Sequence, residues 1–111
     1  MDKEEIIDYA ARVGTPVVAI GSGKVVRAGW HGGYGNCVDI RHNSKYMSRY
    51  GHLSKIGVRL GQKVPQGKTI GKSGATGVAT GPHLHFEMHI YGKQRNFITM
   101  KFPSVKAVAK A

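Results

Sequence analysis

Two histidines two positions apart, His83 and His85, sit in the run Gly81-Pro82-His83-Leu84-His85-Phe86-Glu87, where polar and apolar side chains alternate. On a β-strand, residues i and i+2 point the same way and lie about 7 Å apart. Two imidazoles would then enter one space, as a metal site or a ligand–base pair requires; a solvated surface pair is the plainer alternative. A third histidine, His52, stands in Tyr50-Gly51-His52-Leu53-Ser54, and Asp8 lies shortly before Gly14-Thr15-Pro16-Val17. A catalytic zinc takes three nitrogen or carboxylate ligands and keeps one position for water. It lowers the pKa of that water to about 7 and polarises a carbonyl, and a neighbouring histidine moves the proton. An aspartate, a histidine pair and a separate histidine are the parts of such a hydrolytic site.

The elements that must position these residues read as short strands. Pro16–Ile20 and Lys24–Ala28 flank Gly21-Ser22-Gly23 and suggest a hairpin across that turn. Gly32–Gly35 reads as a loop, Asn36–Arg41 as a strand, His42–Ser44 as a turn and Lys45–His52 as a strand. Gly61–Gly67 carries turn signals around a short extended pair, Lys68–Lys72 is a further strand, and His83–Tyr91 is the longest, closed by Gly92 and Lys93. Only Asp2–Ala11 hints at a 3.6-residue apolar period. The breaker-rich stretch Gly71–Gly77 and Thr80-Gly81-Pro82 sets the entry of the histidine strand. These signals predict a mainly β chain, a small antiparallel sandwich or barrel-like domain with an open groove.

Composition narrows the class. A chain of 111 residues with 16 glycines makes one small turn-rich domain. Cys37 is its single cysteine, so no internal disulfide forms, and within Asn36–Ile40 it reads as a small buried apolar residue. The net charge is +11, from 17 basic against 6 acidic residues, and only Asp39 and Glu87 follow Asp8 among the acids. The basic body favours anionic partners, but no aromatic-interleaved basic motif points to nucleic acid. The acidic start lacks the apolar segment of a signal peptide, and no run reaches transmembrane length.

The motifs as a set are more specific than any one of them. Asp8-Tyr-Ala-Ala11, Gly14–Val17, Gly33-Tyr-Gly-Asn36, Tyr50–Ser54, Gly61–Val64, Ile70-Gly71, Gly74-Ala-Thr-Gly77 and Thr80–Glu87 follow one another in the order and spacing of the LytM/lysostaphin family of zinc metalloendopeptidases. The chain resembles that family from about Asp8 to Pro103. The resemblance implies a compact antiparallel sheet with a groove, zinc as cofactor, and action on peptide cross-links of peptidoglycan. It implies Asp8 and His85 as zinc ligands and His52 and His83 as the catalytic pair that handles the water proton and the oxyanion. It also implies a cell-envelope location, an anionic wall polymer as partner, and residues 1–103 as one peptidase domain followed by a loose basic tail, 104–111.

One departure from the family pattern stands out. The first zinc ligand there is a histidine four residues before the aspartate, in His-x-Gly-x-Asp; here Glu4 and Ile6 stand at the histidine and glycine positions. Glu4 is a possible substitute, since zinc accepts carboxylate oxygen. His89, four residues beyond His85, lies about 13 Å along a regular strand, too far to share an ion; His31 and His42 read as loop residues. The departure suggests a domain that lost its beginning. It also leaves open a catalytically inactive member that binds the wall or regulates another wall hydrolase. From a different class, Gly61–Ile70 resembles the hairpin of biotinyl and lipoyl carriers, where the histidine motifs would have no use.

Overall fold

The computed structural model describes residues 3–10, 12–77 and 81–91, the first of these as backbone only. The chain forms strands β1 (Lys3–Ala10), β2 (Pro16–Val18), β3 (Gly23–Trp30), β4 (Asn36–Arg41), β5 (Tyr46–Ile56), β6 (Lys63–Val64), β7 (Thr69–Ser73) and β8 (His83–Ile90), with a short 3-10 helix at Gly32–Tyr34. All pair antiparallel in a curled half-barrel sheet ordered β1-β8-β5-β4-β3-β6, with β7 joining β5 and β2 joining β7. Among the described residues no helix is long and apolar enough to cross a membrane.

Strand alternation explains why this sheet can carry both a core and a site. Leu84, Phe86, Met88 and Ile90 of β8 are buried, and they pack with Val17, Val25, Val38, Ile40, Tyr50, Leu53 and Ile70 in one core. The intervening residues His83, His85, Glu87 and His89 are thereby turned to the opposite face. The long strand β5 pairs with β4 and β8 in its first half and with β7 in its second. Its register shifts against β4 between Asn36 and Val38, and against β7 between Leu53 and Lys55. Such bulges bend a strand and re-aim its side chains. Here they curl the sheet around the segment that bears His52.

Two expectations are overturned. Asp2–Ala11 contains no helix in its described part: residues 3–10 form β1, paired along their whole length with β8. The period around Ile6 and Ile7 is too short to hold a helix against the edge offered by β8. Nor do β2 and β3 form a hairpin. β2 pairs with β7, while β3 pairs with β4 and β6. Gly71 helps to admit β7 between β2 and β5, since a Cβ there would lie 2.4 Å from the Lys55 carbonyl oxygen. β6 and β7 likewise pair with other strands rather than with each other, which removes the carrier-type hairpin. β4 falls on the expected residues, β5 runs four residues further than expected, and Gly32–Tyr34 is a helical turn rather than open loop. The close at Gly92 and Lys93 and the tail 104–111 lie outside the described residues.

A buried polar chain ties the core to a loop. The Ile20 N–H donates to the Tyr50 hydroxyl (3.0 Å), which meets Ser48 Oγ at 2.8 Å. Ser48 Oγ meets His42 Nε2 at 2.8 Å, and His42 Nδ1 lies 2.7 Å from the Ser22 carbonyl. The carbonyl only accepts, so Nδ1 carries hydrogen and the neutral ring accepts from Ser48 at Nε2. Protonating Nε2 would reverse the chain and remove the acceptor used by the Tyr50 hydroxyl. Burial lowers the His42 pKa, a pull that its bond to Ser22 only partly opposes. The unfolded chain therefore binds this proton more readily than the folded one. The His42 contribution to stability is present above the ordinary imidazole pKa of about 6.5 and is lost as pH falls through it. We expect the wild-type melting temperature to fall between pH 7.5 and pH 5 more steeply than that of His42→Asn. Equal slopes would remove His42 as the cause.

Candidate functional site

His52 is held by its backbone before any partner is considered. Its φ is +59°, the only positive value at a described non-glycine residue. The left-handed region costs an L-residue about 1–2 kcal/mol, and the bulge in β5 places it there. The ring is buried, and its Nδ1 lies 2.6 Å from the Thr76 carbonyl. Thr76 is fixed in turn: its hydroxyl donates to the Leu53 carbonyl (2.7 Å) and accepts from the Asn36 N–H (3.1 Å). Two glycines allow this meeting of loops. A Cβ on Gly35 would lie 2.5 Å from Thr76, and one on Gly77 would lie 2.4 Å from both Gly33 O and Gly35 N. If the strained φ is kept in variants, His52→Gly should be more stable than His52→Ala by about 1 kcal/mol, although both lose the ring. Urea unfolding of the pair decides this; equal midpoints would mean that the ring itself imposes the φ.

β8 brings in the other two histidines. The His52 ring centroid is 4.8 Å from that of His83 and 5.6 Å from that of His85, at near-perpendicular angles. One ring nitrogen from each of His52, His83 and His85 lies within 4.8 Å of the others. One nitrogen of each ring meets an acceptor: the Thr76 carbonyl for His52 Nδ1, the Gly81 carbonyl at 2.8 Å for His83 Nδ1, and Glu87 Oε2 at 2.7 Å for His85 Nε2. The acceptors assign a hydrogen to those nitrogens, so the neutral rings carry their lone pairs on His52 Nε2, His83 Nε2 and His85 Nδ1. Three converging imidazoles suit zinc as a donor set. Tyr34, Gly33 and Glu87 line the same open cleft of about 270 Å³ with His52 and His85.

The register of β1 places two further expected residues. Asp8 pairs with His85, and Glu4 pairs with His89. Asp8 thus stands level with His85 in the backbone register. Glu4 stands four residues, about 13 Å, further along the strand. His31 caps the 3-10 helix, with its ring stacked on Tyr34 at 5.4 Å, and His42 lies in the β4–β5 turn; neither joins the cluster. Cys37 is buried, and burial and the nearby Asp39 push its thiol up to about 12, so it stays protonated and inert. Trp30 is 65% exposed and is not a core residue.

Beside the histidines runs a row of alternating charge, of which the sequence offers only a pairing of Glu87 with a basic strand neighbour. Arg27 of β3, Asp39 of β4, Arg49 of β5 and Glu87 of β8 are successive cross-strand partners. Arg49 grips Asp39 with two bonds (2.9 and 3.0 Å), and Arg27 adds a third (3.1 Å). Arg49 lies 3.7 Å from Glu87 and beneath the Tyr34 ring, 4.7 Å from its centroid. Glu87, 3% exposed, also accepts from Tyr34 (2.8 Å) and His89 (2.7 Å). Burial pushes the Glu87 carboxyl up; bonds from His85, Tyr34 and His89 outweigh it and hold the group below the ordinary carboxylate range. The signal was the scarcity of acids. In a basic chain the two that follow Asp8, Asp39 and Glu87, are the two this row needs.

Comparison with known proteins agrees with this geometry. The profile of Peptidase family M23 matches residues 3–97. The peptidoglycan DD-endopeptidase ShyA of Vibrio cholerae is 48% identical over 103 residues, which is 93% of this chain and 24% of that protein. Among solved structures, the catalytic domain of the antimicrobial peptidase lysostaphin from Staphylococcus simulans superposes with a TM-score of 0.71 at 38% identity, covering 93% of this chain and 71% of that one. A zinc containing peptidase from Vibrio cholerae gives 0.76 at 44% identity, covering 86% and 30%. Fold and family match together define a metallopeptidase-type domain, of the type found in peptidoglycan endopeptidases. The chain belongs to peptidase family M23. It spans about a quarter of the length of the curated relatives it matches.

Proposed function

We propose that this chain is a zinc-dependent endopeptidase domain that hydrolyses peptide cross-links of peptidoglycan in the cell envelope. The observation that carries this reading is the convergence of His52, His83 and His85, of which His52 and His85 line an open cleft. ShyA, similar over nearly the whole chain, is a peptidoglycan DD-endopeptidase. The net charge of +11 favours an anionic wall polymer as the surface on which the domain works.

In this reading His85 and Asp8 hold the ion; Glu4, about 13 Å further along β1, is too far to share it. Bound zinc would supply Lewis acidity toward the scissile carbonyl and make water easier to deprotonate. His52 and His83 do the proton work. Each has Nδ1 tied to a backbone carbonyl and so presents Nε2 as a base. One accepts the proton of the attacking water and passes it to the leaving amine; the other, when it carries a proton taken from solvent, stabilises the oxyanion. The register of Glu4 favours a second donor set, because the three imidazoles offer three nitrogens without it.

The test is elemental analysis and digestion of purified sacculi by the same preparation, beside an Asp8→Ala, His85→Ala double variant and Glu4→Gln. We expect near one zinc per chain and release of soluble muropeptides, both lost in the double variant and on chelation. Glu4→Gln should retain its zinc, and loss there would return Glu4 to the donor set. No zinc above the double variant's background would sink the enzyme reading. A wall-binding or hydrolase-regulating domain would then remain, and pull-down with sacculi or wall hydrolases would test it.

A further inference from the structure

We infer that Glu87 is a positioning residue of the histidine site: its carboxylate fixes His85 as the Nε2–H tautomer and so aims the Nδ1 lone pair at the space shared with His52 and His83. The inference rests on the proposed function for its consequence in metal binding; the tautomer itself does not depend on that reading.

The argument begins with the cost of the carboxylate. A buried charge is destabilising unless it is paired and hydrogen-bonded on all sides. Arg49 and Tyr34 could have met that need with apolar neighbours on β8. Instead the residues two before and two after Glu87 on the same face are histidines, and both aim Nε2 at it. Oε2 takes His85 and Tyr34, while Oε1 takes His89 with Arg49 behind it. An ionised carboxylate accepts and never donates, so the ring nitrogen it meets must carry the hydrogen.

The carboxylate is itself fixed from behind. Its cation cannot swing away, because Arg49 is held by two bonds to Asp39, and Asp39 is also bridged by Arg27. The Tyr34 ring lies over Arg49, and its hydroxyl reaches Oε2. Burial and Glu87 push the Tyr34 phenol up, so it remains a donor. The row of charges across four strands thus acts as a frame, and His85 is the part of the site the frame touches. A histidine ligand whose second nitrogen donates to a carboxylate is oriented and made more basic, and loss of that partner typically weakens metal binding about 10–100-fold.

Long-range proton–nitrogen correlation spectra of the metal-free chain at pH 8 read the tautomer directly. We expect His85 protonated on Nε2, and His52 and His83 on Nδ1. In Glu87→Leu, which removes every acceptor, His85 should become a mixture, and zinc affinity by chelator competition should fall about 10–100-fold. Glu87→Gln keeps one acceptor and should recover most of both. Unmoved His52 and His83 signals report that the variant is folded. A wild-type His85 protonated on Nδ1 overturns the inference, and so does Glu87→Leu with an unchanged tautomer and affinity within twofold. If Glu87→Leu fails to fold, the wild-type spectrum alone decides. If the wild type binds no zinc, the proposed function fails, while the tautomer still decides the role of Glu87.

Discussion

Alanine at His83 should lower the rate of cross-link hydrolysis by about 10²–10⁴-fold, the usual share of a positioned acid–base group. The ring makes a short bond from Nδ1 to Gly81 O, two residues before it, and an edge-on contact with His52. Removing it leaves the β8 backbone and the Leu84, Phe86 and Met88 packing untouched, since those side chains occupy the other face. The informative companion measurement is zinc content. Under the assignment to Asp8 and His85, His83→Ala keeps its zinc and loses its rate. Under the three-imidazole set it loses both. A variant that keeps the wild-type rate would remove His83 from the chemistry.

The largest effect on stability is expected at Asp39. Alanine there strips the bonding partner from Arg49, whose side chain is 13% exposed, and leaves a buried cation beside an empty space. Breaking such a pair from one side costs about 3–5 kcal/mol. Arg27, at 40% side-chain exposure, can turn to water and adds little. Urea unfolding should show the loss as a lower midpoint with an unchanged slope. A change under 1 kcal/mol would mean that Glu87 and Tyr34 hold Arg49 unaided.

Legibility in the sequence followed the range of the interactions. β8 was readable because alternation is local: each of its residues declares a face by its own type. β4 lay between loop residues that punctuate it. The three histidines were readable as motifs, and their convergence follows from the β5 bulge and the β8 face. β1 was not readable, since Ile6 and Ile7 break the alternation and its pairing is set by β8, some eighty residues away. The glycine turn at Gly21–Gly23 favoured a hairpin that burial overrode, because Val17 and Val18 find their partners on β7. The row Arg27–Asp39–Arg49–Glu87 takes one residue from each of four strands and leaves no local pattern at all.

The interlocked glycines have a consequence for anyone recombining domains of this family. Gly35 and Gly77 each sit where the other loop would collide with a side chain. Segments 31–36 and 74–77 therefore behave as a single cassette, though some forty residues separate them. A chimera with a crossover between them must inherit both glycines or displace Thr76, and with it the carbonyl that orients His52. Crossovers before residue 31 or after residue 77 avoid the problem.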